Sequence, residues 1–161
     1  GLAPIAIVRR AENTGLFAAD RTERVLNSSD GGYPQALAEL KASGGVAAIL
    51  DCIGGEESLQ LAEVLTPGGQ FIHYGLLSGR PIPATFWRSR PDIRFSNFHL
   101  RMWVHSHEKA RVQQRIDEVM AMIRDGIIAT EIAAEFPLEQ IQLAAAAVLS
   151  GELKGKILLR L

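Results

Sequence analysis

Val46-Ala47-Ala48-Ile49-Leu50-Asp51-Cys52-Ile53-Gly54-Gly55 is the stretch that decides how this chain folds. A short apolar run closed by breakers reads as a strand buried on both faces. Asp51 to Gly55 ends the run, and a helix is predicted from about Glu57 to Leu65. Leu59, Leu61, Ala62 and Leu65 give that helix its apolar stripe. Thr66-Pro67-Gly68-Gly69 then reads as a helix stop and a turn. Gln70-Phe71-Ile72-His73-Tyr74 is the next strand and stops at Gly75. Strand, helix, strand in this order argues a parallel sheet.

The pattern extends in both directions. Toward the start, Ile5 to Val8 is a strand that ends at Arg9-Arg10. Val25-Leu26 is a weaker strand, stopped by Asn27-Ser28-Ser29-Asp30-Gly31-Gly32. Pro34 to Ala42 is a helix with proline in its first turn, where the missing N–H costs nothing. Toward the end, Leu76 to Asp92 reads as a loop, with Pro81, Pro83 and Pro91 in it. Arg94 to Leu100 alternates as a strand, expected at the edge of the sheet. Ser106 can cap a long helix reaching Asp125, with Ile116, Val119, Met120 and Ile123 on one face and Gly126 as its terminator. Glu131 to Phe136 is extended, Pro137 starts another helix to Leu149, and Lys156 to Leu161 is a last strand. The expected class is α/β, a Rossmann-like doubly wound parallel sheet.

Composition narrows the possibilities. The chain has 161 residues, 47% apolar and 22% charged, with a net charge of -1. These are values of one soluble globular domain, not of a disordered, fibrous or coiled-coil chain. Near-zero charge gives no electrostatic case for nucleic acid or a membrane surface. The single cysteine, Cys52, excludes a disulfide framework and a multi-cysteine zinc site. No apolar run reaches the roughly 18 residues that a spanning helix needs. No signal peptide is visible, so the expected location is the cytoplasm.

Ligands of open parallel sheets bind beyond the carboxyl ends of the strands. Three such ends stand out: Arg9-Arg10, Asp51 to Gly55, and Tyr74-Gly75-Leu76-Leu77-Ser78-Gly79. Glycine lets a ligand approach the backbone, and paired arginines can hold a phosphate. Turn glycines and solvated arginines are an equally open reading of each motif alone. His99, His105 and His107 are close in sequence, but no thiol or carboxylate completes a zinc set at ligand spacing, which favours surface or helix-start histidines. Cys52 reads as a small buried apolar residue. Asp51 reads as a satisfier of backbone donors, with a general base as the alternative.

These residues resemble the coenzyme-binding half of the medium-chain dehydrogenase/reductase superfamily over nearly the whole chain. The anchors are Arg9-Arg10 after its strand, Asp51 to Gly55, Leu65 to Gly75, and the closing Gly155-Lys156-Ile157-Leu158-Leu159. Asn97-Phe98-His99-Leu100-Arg101-Met102-Trp103 is similar to a segment of the 2-enoyl thioester reductases, though His99 stands where that family has a second aromatic. Quinone-oxidoreductase-like members therefore remain open.

The resemblance implies NADPH as coenzyme. Arg9 and Arg10 would contact its 2′-phosphate, where an NAD site usually has Asp or Glu. Gly54 would belong to the same binding edge. Tyr74, Gly75, Leu76 and Leu77 would line the nicotinamide side, and Phe98, His99 and Leu100 would lie near it and the substrate entrance. A lysine of Lys154-Gly155-Lys156 would approach the coenzyme, with Lys156 the expected one. Implied chemistry is hydride transfer to the double bond of an enoyl thioester or quinone-like enone. The proton donor would lie in a catalytic part upstream. A zinc-dependent alcohol dehydrogenase and a non-catalytic interaction module are the alternatives.

No G-x-G-x-x-G occurs, so the phosphate-binding turn and the first strand are expected to be missing. Gly1 would be the C-cap of the preceding helix, and Ile5–Val8 the second strand of the order 3-2-1-4-5-6. The chain is then expected to be a C-terminal fragment of a protein roughly twice as long, unable by itself to bind NADPH tightly or turn over. Residues 1–129 would be a partial NADPH-binding domain and 130–161 a segment returning to the catalytic part. The exposed edge near 94–100 would pair across a two-fold axis in a homodimer.

Overall fold

The computed structural model describes residues 2–17, 22–153 and 155–161. Gly1 and Lys154, to which the sequence assigned a cap and a possible coenzyme contact, lie outside them. The chain forms two compact units, Gly1–Trp103 and Val104–Leu161.

The first unit contains two parallel sheets. Strand β1 (Ile5–Val8) pairs with β2 (Arg24–Asn27), with Ile7 opposite Leu26. Strands β3 (Val46–Asp51), β4 (Leu65–His73) and β5 (Arg94–Asn97) form the second sheet in the order β3-β4-β5. Among the described residues β1 pairs only with β2, and β3 only with β4. The expected order predicts this interruption: its central strand would stand between β1 and β3, and no described strand of this chain stands there.

Helices α1 (Tyr33–Ala42), α2 (Gly55–Ala62) and α3 (Phe86–Ser89) accompany these strands. Leu26, Leu37, Ile49, Ala62, Val64, Leu65, Phe71 and Phe86 make one buried cluster. Its densest part is aromatic. Phe71 meets Phe86 edge-on at 5.1 Å and stacks on Phe95 at 5.9 Å, and Trp87 meets Phe95 at 4.6 Å. Such offset and edge contacts add to what area burial alone supplies.

Several boundaries differ from the sequence reading. Helix α2 starts at Gly55 and stops at Ala62, so Leu65 and Thr66-Pro67-Gly68-Gly69 belong to β4 rather than to a helix end and a turn. Residues 66–69 bulge out of the ladder: Val46 pairs with Leu65 and Ala48 with Gln70, and Gly68 takes φ +72° within the bulge. The predicted loop 76–92 contains the short helix α3, whose Phe86 enters the core. The edge strand stops at Asn97, not Leu100, because helix α4 (Leu100–Ser106) begins there.

In the unit Val104–Leu161, helix α5 (Lys109–Arg124) is separate from α4, since Glu108 is extended at φ -57°, ψ 139°. The helix expected from Ser106 to Asp125 is α5, but it starts at Lys109, and Ser106 ends α4 instead of capping it. Gly126, at φ +70°, follows α5 as its terminator, as expected. Strand β6 (Ile132–Pro137) pairs in parallel with β7 (Lys156–Arg160) across helix α6 (Ile141–Ser150). Pro137 closes the strand in an extended conformation instead of opening the helix.

Candidate coenzyme edge

The carboxyl ends of β3, β4 and β5 lie side by side, and their outgoing segments stay joined. Beyond the last strand residues, Tyr74 N donates to Asp51 O (2.8 Å), Leu77 N to Cys52 O (2.9 Å) and Ser78 N to Ile53 O (3.0 Å). Phe98 N donates to His73 O at 2.8 Å. The structure thus brings Gly54, Tyr74, Gly75, Leu76, Leu77 and Phe98 to one edge of one sheet. His99 is the next residue. Its Nδ1 accepts from Met102 N at 3.4 Å and its carbonyl from Trp103 N at 3.0 Å, which makes it the cap from which α4 rises at Leu100.

This edge is apolar and open. Leu77 is 77% exposed, and Tyr74, Leu76, Phe98 and Leu100 are also exposed. Four large apolar groups beside one tyrosine at the end of a sheet form a surface that ligand recognition would explain, whereas scattered single ones would not. The Gly75 and Leu76 amides have no hydrogen-bond partner among the described residues. Free backbone donors framed by apolar side chains fit a planar polar ring such as a nicotinamide.

Two glycines of the edge are there for the chain's own packing. At Gly54, φ is +76°, and a Cβ would stand 2.8 Å from Arg80 O and 2.8 Å from Leu76 Cδ1. A Cβ on Gly75 would stand 2.9 Å from Cys52 O. Both positions require glycine because the segments after β3 and β4 touch.

Arg9 and Arg10 follow β1 and are exposed. They stand beside the turn after β2, since Ser28 N donates to Val8 O at 2.8 Å. That turn is built by side chains: Asn27 Oδ1 accepts from Ser29 N, and Asp30 Oδ1 from Gly32 N. Lys156 is the first residue of β7 in the second unit, where its amide donates to Glu131 O.

Asp51 is the residue whose importance the sequence understated. Its side chain is fully buried. Oδ1 accepts from Ile53 N (3.0 Å) and Gly54 N (3.4 Å), as expected of a satisfier of backbone donors. Oδ2 accepts from Gly54 N (3.3 Å), Ser58 Oγ (2.7 Å) and His73 Nδ1 (2.7 Å). The partners Ser58 and His73 were not singled out in the sequence. A signal existed: in a parallel pair Asp51 and His73 are the last residues of two consecutive strands, and the register sets them opposite. Cys52 is half-buried rather than buried, and its thiol bonds the Tyr74 side chain. That bond, then burial, holds the Tyr74 phenol above its ordinary value of 10.0.

The zinc-binding dehydrogenase family model matches residues 22–159. The chain belongs to that family. Its relatives include the mitochondrial enoyl-[acyl-carrier-protein] reductase of Mus musculus, 28% identical over 111 residues, 68% of this chain and 30% of that protein. A crystal structure described as an NADPH:quinone reductase from Bacillus thuringiensis superposes with TM-score 0.85 at 25% identity, over 96% of this chain and 47% of that one. The CurK enoyl reductase shares the fold, with TM-score 0.74 at 21% identity over 97% and 47%. The chain therefore spans about half the length of these structures and a smaller share of the curated relative. The family is one of oxidoreductases that use a nicotinamide coenzyme, with enoyl reductases and quinone reductases on its branches. Although the family carries zinc in its name, no three His, Cys, Asp or Glu side chains among the described residues gather as a metal set. No described helix is long and apolar enough to cross a membrane.

Proposed function

We propose that this chain is the coenzyme-binding part of an NADPH-dependent reductase that reduces the activated double bond of an enoyl thioester or a quinone-like enone. The observation that carries this reading is the convergence of the segments after β3, β4 and β5 on one exposed apolar edge with free Gly75 and Leu76 amides. Enoyl and quinone reductases among the family's relatives support this substrate class. NADPH, when bound, supplies the hydride. Gly75 and Leu76 would hold its carboxamide through their amides, while Tyr74, Leu77, Phe98 and Leu100 exclude water around the ring. His99 would keep α4 against the entrance. Arg9 and Arg10 would select the 2′-phosphate, two cations where an NAD site places a carboxylate. Residues 1–129 would carry this function, and 130–161, with Lys156, would return toward the catalytic part.

The outer edge of β5 at Arg94–Asn97 has no described partner strand, and we assign it to a two-fold pairing in a homodimer. A cytoplasmic location suits the single cysteine.

The test uses the full-length protein, with loss of NADPH absorbance followed against an enoyl thioester and a quinone. Replacing Arg9 and Arg10 together by Ala is expected to raise KM for NADPH about tenfold or more, a scale set by losing charge-assisted bonds to phosphate, and to leave KM for NADH nearly unchanged. Equal effects on both coenzymes would overturn the phosphate role. The family name keeps a zinc-dependent alcohol dehydrogenase as the second reading: bound zinc together with alcohol oxidation would establish it.

A further inference from the structure

The cluster around Asp51 does more than fill space. A carboxylate with a fully buried side chain is unfavourable unless every lone pair is used. Here Oδ1 and Oδ2 accept from the turn after β3, from Ser58 in α2 and from His73 at the end of β4. Buried charges of this kind contribute little net stability, and a well-packed apolar group of similar volume often does as well. Their effect is to fix geometry.

The geometry fixed is that of the candidate edge. His73 is held by two contacts: its Nδ1 donates to Asp51 at 2.7 Å, and its ring stacks near Phe95 at 6.5 Å. Its main chain leads directly into Tyr74-Gly75-Leu76-Leu77. Its carbonyl also accepts from Phe98 N, and Tyr74 N returns to Asp51 O. All three edge segments, 53–54, 74–77 and 98–100, therefore hang from the Asp51–His73 pair. The side chain of His73 remains 14% exposed, so the pair sits at the rim and not in the aromatic core.

We propose that His73, oriented by Asp51, is a positioning residue that sets the Tyr74–Leu77 segment for the nicotinamide half of the coenzyme. This rests on the function proposed above. An imidazole can fill the role because it donates one short hydrogen bond in a fixed plane. Leucine in its place keeps much of the volume and leaves Asp51 Oδ2 short of a donor. Asparagine places an N–H near the position of Nδ1 and restores the bond.

Binding of NADPH and of adenosine 2′,5′-bisphosphate, which lacks the nicotinamide, separates this role from a merely structural one. In the full-length protein, His73→Leu is expected to weaken NADPH binding about tenfold or more, the scale of one lost hydrogen bond to a charged group. Affinity for the bisphosphate is expected to stay within about twofold, since its contacts would lie at Arg9 and Arg10. His73→Asn is expected to recover most of the NADPH affinity. Equal weakening toward both ligands, or none toward NADPH while the wild type binds it, would overturn the positioning role alone. A wild-type protein that binds neither ligand would overturn the coenzyme reading itself, and this proposal with it.

Discussion

Gly75 lies so close to Cys52 that a Cβ on it would stand 2.9 Å from the Cys52 carbonyl oxygen and 3.1 Å from its Cβ. The obstacle is main chain, bound in turn to Leu77 N, and cannot swing away. Gly75→Ala is expected to cost about 1–3 kcal/mol, the range for overpacking a tight site. Chemical denaturation measures the loss. NADPH binding is expected to fall with it, because the 74–77 segment must shift.

The aromatic cluster gives the largest stability effect. Phe71 is wholly buried and touches both Phe86 and Phe95. Phe71→Ala is expected to destabilise by about 3–5 kcal/mol, which can exhaust the stability of a small domain. Trp87→Ala, at a half-exposed ring, is expected to cost clearly less. Urea midpoints of the two variants against wild type check the order.

Arg90 carries a pH-dependent contribution. It is nearly buried, and it donates to the carbonyl of Ala62, to Leu65 O at 3.0 Å and to both carboxylate oxygens of Asp92 at 2.8 Å. The hydrogen bonds from Arg90 hold the Asp92 carboxyl below its ordinary 3.8. A lowered carboxyl stabilises the fold above its unfolded value, and the effect fades as pH falls through the folded one. Wild type is therefore expected to exceed Asp92→Asn in melting temperature at neutral pH. The gap is expected to close below pH 3.8.

Tyr74 behaves in the opposite sense. Its raised phenol binds its proton more tightly in the folded chain than at the ordinary 10.0, so that contribution is complete below 10.0 and is lost as pH rises through the folded value. Cys52→Ala removes the main cause, the hydrogen bond with the Cys52 side chain. Ultraviolet titration of the phenolate is expected to show Tyr74 moving down toward 10.0; an unchanged curve would show that burial alone sets it.

Much of this was legible in the sequence because parallel strands advertise themselves as apolar runs. Ile5–Val8 and the strand from Val46 follow from periodicity, and the break between β1 and β3 from the strand order the family resemblance implies. Boundaries were less legible where a tertiary partner outvoted a local signal, as at Pro137 paired with Arg160 inside β6, and where a turn signal became a bulge, as at Thr66-Pro67-Gly68-Gly69 inside β4. Helix α3 escaped because three prolines around it read as loop, although Phe86 is a core residue. The edge residues at 54 and 74–77 were found as glycine-rich strand ends, and Phe98, His99 and Leu100 through the family resemblance. Ser58 and His73 were not, since their meaning lies in a register between strands, and a residue-by-residue scan does not supply register.

The unequal pairing of the strands has a dynamic consequence. Among the described residues, strand β4 has neighbours on both sides, β3 and β5, whereas β1 has one. Amide protons of Phe71 and Ile72 can exchange with solvent only when the three-stranded sheet opens, and those of β1 need only the loss of a single short partner. Deuterium uptake is therefore expected to enter β1 and β2 first and β4 last, so that β4 marks the most persistent part of the first unit.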